Sequence, residues 1–310
     1  MRVCTVDLKT VEEQLDNLKG KPFISENTIV FFRAIFSLQY KTKTNLADNS
    51  FPALSEGQNC QQLAAGHPLL SFQSFTADPH LLHSLFQELC SIMKKHDTTS
   101  HGDIQRLLEA KKSGVIDLAA LITKLPEQDS SYFQTLAESI GVKPGTLLFC
   151  AFHCAKPFYE SAAEKLMLPA EEENLWMRRQ CPLCGCAAQL SKLNKEDGKR
   201  HLYCLLCGAE WRFMRLKCAY CNCAQPAGMK FIAEENSPWR IDVCDLCRGY
   251  LKTFDEKKAG GTTGGFIPAV ADVATLYLDL LAEKEGYKKL FFLPPEAAGE
   301  KGADAPETIH

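Results

Sequence analysis

The amino-acid sequence predicts an α+β protein with three parts: a helical N-terminal domain, two tandem metal-binding ribbons and a C-terminal helix. Three observations predict this architecture. Apolar residues recur at helical spacing in the N-terminal half, ten of the fifteen cysteines lie between Cys181 and Cys247, and an apolar helical pattern returns near the C-terminus. The predicted domains are therefore residues 1–175, residues 176–258 and residues 259–310.

The N-terminal domain is predicted to be a bundle of helices. Leucine and phenylalanine recur every three or four residues, which is the period of an amphipathic helix, and Asp78-Pro79 is a typical helix start. Within this part, Cys150, His153 and Cys154 share one helical face, but their neighbours are apolar, so we interpret them as core residues ahead of metal ligands. The predicted helices cover residues 6–18, 31–38, 81–93, 103–112, 115–125, 131–140 and 144–167.

The middle of the chain contains four C-x-x-C pairs, separated by 19, 10 and 22 residues. Two cysteines that are two residues apart can both face one ion when the backbone between them turns sharply. Four such sulfurs satisfy a tetrahedral metal site. The eight candidate ligands are Cys181, Cys184, Cys204, Cys207, Cys218, Cys221, Cys244 and Cys247.

The order of the pairs favours two consecutive ribbons, in which the first pair shares an ion with the second and the third with the fourth. Residues 194–198 and residues 234–238 are suited to the hairpin turn that each ribbon then needs. An interleaved, cross-braced pairing is the alternative, and ligand spacing alone leaves it open.

The residues next to the pairs refine this interpretation. Cys186 and Cys223 each lie two residues beyond a pair, and we expect them to be non-ligating thiols because four ligands already complete each site. A left-handed backbone after the second cysteine would help the chain to turn. Three of the residues at this position tolerate that conformation and the fourth, an arginine, fits less well: Gly185, Gly208, Asn222 and Arg248.

These residues carry a family resemblance. The segments CPLCG at 181–185, HLYCLLC at 201–207, VCDLCRGYLKT at 243–253 and ADVATLYLD at 271–279 occur in the order seen in FdhE, the family of formate dehydrogenase accessory proteins. The chain resembles that family over roughly residues 176–290.

The resemblance implies a cytoplasmic, non-catalytic assembly factor with rubredoxin-like metal modules. Its implied partner is the catalytic subunit of a molybdenum- or tungsten-dependent formate dehydrogenase. The implied cofactors are two mononuclear tetrathiolate ions, with iron named first because of the resemblance, since four thiolates do not distinguish iron from zinc. Homo-oligomerisation is left open.

The sequence favours a reducing compartment. The first 21 residues lack the apolar core of roughly 7–15 residues that a secretory signal needs. No stretch approaches the roughly 18 apolar residues of a membrane span, so we expect no membrane insertion. An odd number of cysteines, fifteen, also argues against a fully disulfide-bonded monomer.

Two other functional classes are the alternatives. Residues 174–258 carry 15 Lys and Arg against 9 Asp and Glu, an excess of +6 that is compatible with a nucleic-acid-binding ribbon. Eight thiolates with two divalent ions would lower that excess to about +2, so we expect no nucleic-acid partner. A thiol–disulfide enzyme is the second alternative, but such a pair normally opens a helix, and none of the four is predicted to do so.

The surface that contacts a client is predicted beside the last cysteine pair and on the C-terminal helix. Tyrosine and arginine are enriched in binding hot spots, but lone surface charges usually contribute little, so a ribbon-core tyrosine with ordinary surface charges is an equal alternative. The candidates, expected to be exposed, are Arg248, Tyr250, Lys252, Asp272 and Asp279. Before that helix, residues 260–265 are predicted to form a flexible joint, and the tail after residue 295 is predicted to be disordered.

Overall fold

The computed structural model describes residues 1–4, 6–46, 51, 56–70, 75–96, 100–166, 176–224, 228–233, 237–260 and 266–294. Residues 167–175, which end at the predicted boundary of the first domain, most of the flexible joint predicted at 260–265 and the tail after residue 294 lie outside the described residues.

Within the described residues, eight helices precede the cysteine-rich part: α1 Leu8–Asp16, α2 Glu26–Thr44, α3 Glu56–Ala64, α4 Pro79–His96, α5 His101–Lys112, α6 Leu118–Lys124, α7 Ser130–Ile140 and α8 Pro144–Glu164. The strands are β1 Arg2–Val3, β2 Leu190–Leu193, β3 Arg200–Tyr203, β4 Ala209–Phe213, β5 Met229–Ala233, β6 Trp239–Cys244 and β7 Tyr250–Asp255. Two further helices follow them, α9 Pro268–Ala274 and α10 Leu276–Lys284.

The helical N-terminal part is confirmed, and four of its helices begin at a side chain that caps them. Asp7, Ser25, Asp117 and Asp129 each accept a hydrogen bond from the backbone of the first turn of α1, α2, α6 and α7. Each such bond satisfies an amide that the helix itself leaves unpaired. Short polar residues therefore mark where these four helices start, whereas α5 and α8 start without a side-chain cap.

The two ribbons form a single sheet with the strand order β1-β4-β3-β2-β7-β6-β5. Strands β2, β3 and β4 make one antiparallel meander and β5, β6 and β7 make another. The two meanders meet where β2 pairs in parallel with β7, with Leu190 opposite Lys252 and Leu193 opposite Asp255. The first predicted hairpin turn is present, since the Asn194 amide donates to the Lys199 carbonyl at 3.0 Å. The second turn lies largely outside the described residues.

The helices and the first ribbon share one hydrophobic core. Helix residues such as Leu147 and Phe158 belong to the same buried cluster as Cys181 and Trp211. Backbone bonds also join the two parts, because the Leu70 amide donates to the Leu183 carbonyl at 2.7 Å. The ribbon is therefore built into the body of the protein, and the division into three domains stays a prediction.

A buried ion-pair network attaches the C-terminal helices to β7. The Lys252 ammonium is fully buried and lies 2.7 Å from a carboxylate oxygen of Asp272 and 2.8 Å from one of Asp279. Tyr250 donates to Asp279 at 2.7 Å, and Lys289 lies 3.0 Å from Asp272. Burial opposes ionisation of Asp272, but Lys252 and Lys289 outweigh it and hold the pKa of this carboxyl below its ordinary value.

This network corrects two expectations. Tyr250 and Lys252 were expected on an exposed client surface, yet both are buried within the chain, and Asp272 and Asp279 pair with Lys252. The single predicted C-terminal helix is also divided at Thr275 into α9 and α10. Lys252 donates to the Asp272 carbonyl at 2.9 Å and to the Thr275 carbonyl at 3.5 Å. The ammonium thereby satisfies carbonyls at the end of α9.

We predict that Lys252→Ala strongly destabilises the protein, because it removes the buried cation that pairs with the carboxylates of Asp272 and Asp279. Breaking such a buried pair costs about 3–5 kcal/mol. Urea unfolding of the metal-loaded protein measures the loss. Lys258→Ala, at an exposed position on the turn after β7, is the matched control and should change stability by less than about 0.5 kcal/mol. Equal effects of the two substitutions would contradict the role of the network.

Candidate metal centres

The four C-x-x-C pairs have the same backbone conformation. In each, the amide of the first cysteine donates to the carbonyl five residues later, at 2.9 Å for the first three pairs and 3.0 Å for the fourth. This bond closes a tight loop, which we call a knuckle, and turns both sulfurs toward the same side. The accepting carbonyls belong to Cys186, Ala209, Cys223 and Gly249.

The residue after the second cysteine is left-handed in every knuckle. Its φ is 78° at Gly185, 76° at Gly208, 62° at Asn222 and 57° at Arg248. The first three agree with the prediction. Arg248 adopts the same conformation within the same closed loop. Its guanidinium donates to the carbonyls of residues 285 and 286 and lies 4.2 Å from the centroid of the Tyr287 ring.

The first centre brings together Cys181, Cys184, Cys204 and Cys207, whose sulfur atoms all lie within 4.8 Å of one another. The Sγ atoms of Cys181 and Cys207 are 3.5 Å apart, as are those of Cys184 and Cys204. A tetrahedral ion with metal–sulfur bonds of about 2.3 Å needs sulfurs about 3.8 Å apart. The geometry therefore fits one ion, and it corresponds to the consecutive pairing of the first two C-x-x-C motifs.

The electrostatics of the first centre also fit a cation. Burial raises the pKa of the Cys184 thiol. Burial acts the same way on Cys204, but hydrogen bonds from Cys181, Cys184 and Cys207 outweigh it and lower the pKa of that thiol. Four thiolates in a space that excludes water would repel one another strongly, so either protons or a metal ion must neutralise them. A bound ion would supply that positive charge and lock the two knuckles together.

The second centre brings together Cys218, Cys221, Cys223 and Cys244 within the same 4.8 Å limit. The Sγ atoms of Cys221 and Cys244 are 3.7 Å apart, and those of Cys223 and Cys244 are 3.4 Å apart. Three of these four cysteines are predicted ligands. The structure therefore adds Cys223 to the group around the second ion position.

Cys247, the remaining predicted ligand, lies at the edge of this group. Its Sγ is 3.8 Å from that of Cys218, and it is the one cysteine of the two centres that is not buried. The sequence signal for Cys223 is the C-x-x-C-x-C spacing, but Cys186 has the same spacing and lies outside the first group. The spacing alone therefore does not predict which of these two thiols lies at an ion position.

The cysteines and histidine of α8 pack in the helical core. The Cys150 thiol lies 3.5 Å from the Met93 sulfur, and His153 Nδ1 lies 2.9 Å from the Gln39 side-chain nitrogen. Burial lowers the pKa of His153 to about 3, with a further contribution from the nearby Lys156 ammonium. The imidazole is therefore neutral and acts as a buried hydrogen-bonding group of the core.

Family models match this cysteine-rich part of the chain. The FdhE central domain matches residues 180–215 and the FdhE C-terminal domain matches residues 216–292. Their border falls between β4 and β5, in the segment that connects the two ribbons. The two matched domains therefore correspond to the two halves of the sheet.

Relatives match over most of their length. The protein named FdhE homolog of Aquifex aeolicus strain VF5 is 26% identical over 241 residues, which are 76% of this chain and 77% of that protein. A homolog from Pectobacterium carotovorum is 27% identical over 279 residues, 79% of this chain and 88% of that protein. Protein FdhE of Escherichia coli O1:K1 is 25% identical over 242 residues, 76% of this chain and 72% of that protein.

A solved structure shares the fold. The crystal structure of the FdhE protein from Pseudomonas aeruginosa superposes with a TM-score of 0.54 at 18% sequence identity. The match covers 96% of this chain and 100% of that one. The similarity in fold therefore extends over nearly the whole chain.

We predict that the protein purified without oxygen carries about two metal ions per chain, one for each group of four sulfurs. Cys184→Ser should lose one ion and the folding of the first ribbon, because metal binding and local folding share one free energy. Inductively coupled plasma mass spectrometry and circular dichroism measure the two effects. Cys60→Ser, on α3, is the control and should keep both ions. A reduced, metal-free chain that folds completely would refute this prediction.

Proposed function

Because FdhE domain models match residues 180–292 and FdhE proteins match about three quarters of the chain, we propose that it is an FdhE-type accessory protein for the maturation of formate dehydrogenase. In this proposal it holds one metal ion, iron or zinc, in each of its two cysteine centres and contacts the dehydrogenase catalytic subunit. It performs no catalysis of its own. The observation that carries the proposal is the pair of buried cysteine groups within the two ribbons that the family's domains match.

The two centres differ in their surroundings, which supports different roles. The cysteines of the first centre are buried in the core that the ribbon shares with α8, and Lys156 of that helix donates to the Leu205 carbonyl inside one of its knuckles. An ion there would stabilise the body of the protein. The group of four at the second centre belongs to the same core, but that centre reaches the surface through the knuckle that contains Cys247. An ion there would hold a surface loop in shape.

That surface loop is the candidate docking site for the client. Leu246, between the two cysteines of the last knuckle, is 57% exposed, and the Arg248 side chain is 47% exposed. Lys230 of the neighbouring strand forms an ion pair with Asp245 at 2.5 Å and borders the loop. The loop thus places an exposed apolar side chain next to an arginine, a residue type that is enriched in binding hot spots. Arg248 thus stays in the predicted contact set, whereas Tyr250 and Lys252 act through the internal network.

The charges of the ribbons support a protein partner over a nucleic acid. Three basic side chains of the sheet are buried in ion pairs: Arg200 with Asp242 at 3.1 Å, Lys192 with Glu256 at 2.9 Å, and Lys252 as described above. These cations are neutralised within the chain and are directed away from solvent. They are therefore unsuited to phosphate contacts, which require accessible Lys and Arg.

The position of the cysteine pairs supports metal binding over thiol–disulfide exchange. Each pair lies at a turn that leads into or joins strands, and Cys244 is itself the last residue of β6. A catalytic C-x-x-C gains its low pKa at the start of a helix. All fifteen cysteines are free thiols in this structure, which is consistent with the reducing, cytoplasmic location that we propose. In the described part of the chain, no helix has both the length and the apolar character to span a bilayer.

We predict that substitutions at the exposed knuckle weaken client binding without removing metal. Leu246→Glu should reduce capture of the formate dehydrogenase catalytic subunit in a pull-down, because it places a charge in the apolar centre of the surface. Arg248→Asn should do so more mildly, since asparagine keeps the left-handed backbone while it removes the charge. Metal content is measured on the same samples.

The control for this experiment is Lys95→Glu, an exposed charge reversal on α4. It should leave capture unchanged. Unchanged capture by Leu246→Glu, with both ions retained, would place the client site elsewhere on the protein. No capture by the unsubstituted protein would count against the accessory function itself.

A further inference from the structure

We propose that the second centre has five thiols for four ligand positions. Cys218, Cys221 and Cys244 are the constant ligands, and Cys223 and Cys247 alternate at the fourth position. The proposal rests on the metal-binding part of the proposed function and extends it, since it makes the second ion able to change one ligand without leaving the protein.

The distances place both candidates within reach of the same ion. Cys223 Sγ lies 3.4 Å from Cys244 Sγ and within 4.8 Å of the sulfurs of Cys218 and Cys221. Cys247 Sγ lies 3.8 Å from Cys218 Sγ. Sulfurs that share a tetrahedral ion are separated by about 3.8 Å. Cys223 and Cys247 are therefore each separated from at least one constant ligand by about the distance expected between two sulfurs on one ion. A tetrahedral ion that already has three ligands can bind only one of these two thiols.

The first centre shows that the backbone position alone does not create this arrangement. Cys186 and Cys223 accept the same knuckle-closing hydrogen bond, each at 2.9 Å. Both side chains are buried. The Cys186 thiol contacts that of Cys184 but lies outside the group of four, whereas the Cys223 sulfur lies inside its group. The second knuckle pair is thus arranged differently around its ion position, and Cys186 supplies a matched control within the same chain.

Burial decides which thiol becomes accessible. Cys223 is 4% exposed, whereas Cys247 is partly exposed, beside Leu246 and Arg248. When Cys223 is the fourth ligand, Cys247 is a free thiol on the surface proposed to meet the client. Four sulfurs hold the ion in both arrangements. The centre can therefore expose the Cys247 thiol to a partner while the metal ion remains bound.

The first test is the metal content of cysteine-to-serine variants of the full chain, purified without oxygen and measured by inductively coupled plasma mass spectrometry. Cys223→Ser and Cys247→Ser should each retain two ions, and the double variant should lose one. Cys218→Ser should lose one ion, and Cys186→Ser should lose none. Loss of an ion in either single variant, or two ions in the double variant, would overturn the proposal. An unsubstituted protein without a second ion would instead overturn metal binding as such.

The second test does not depend on the folding of the double variant. The metal-loaded protein is treated with iodoacetamide, and modified cysteines are identified by peptide mass mapping. Cys247 should react while both ions are retained. In Cys223→Ser, Cys247 becomes an obligatory ligand, and its labelling should slow by about tenfold, because a coordinated thiolate is far less available to the reagent. No reaction at Cys247 in the unsubstituted protein, or equal rates in the two proteins, would overturn the proposal.

Discussion

Four sulfur atoms crowded into a space without water are the constraint on which the rest of this structure depends. The closing hydrogen bond of each knuckle fixes the direction of its two cysteines, and pairs of knuckles then face each other with sulfurs 3.5–3.8 Å apart. Such a group must take up protons or a metal ion to remain buried. The strands are short, at four to six residues in the two ribbons, so the ion adds the stability that these small hairpins lack.

The helical part and the ribbons depend on each other through the first centre. Cys181 and Cys184 belong to the same core as α8, and Lys156 of that helix donates to a carbonyl of the opposite knuckle. Among the described residues, the Tyr159 hydroxyl is buried without a hydrogen-bond partner, and burial raises its pKa, with the nearby cysteines adding to the effect. Loss of the first ion would therefore disturb the helical core as well as the ribbon.

The second centre has a different place in the molecule. It lies at the far half of the sheet, it reaches the surface at Cys247, and the C-terminal helices pack beside it through the Lys252 network. Arg248 connects the last knuckle to the end of α10, since it donates to the carbonyls of residues 285 and 286. A change of ligand at this centre would thus alter the loop that forms the proposed client surface. The first centre, by contrast, is enclosed.

The sequence by itself determined the features that depend on local spacing. Helical periodicity located the bundle, the C-x-x-C pairs located the knuckles, and Gly185, Gly208 and Asn222 marked the left-handed turns, because each of these patterns is read within a few residues. Tertiary structure decided what depends on distant partners. The parallel pairing of β2 with β7 merged two ribbons into one sheet, β1 joined its edge, and Lys252 became buried because Asp272 and Asp279, at least twenty residues away in the chain, supply its counter-charges. The contrast between Cys186 and Cys223 has the same cause: their local sequence patterns match, and only the packing of the facing knuckle brings one of the two sulfurs to the ion position.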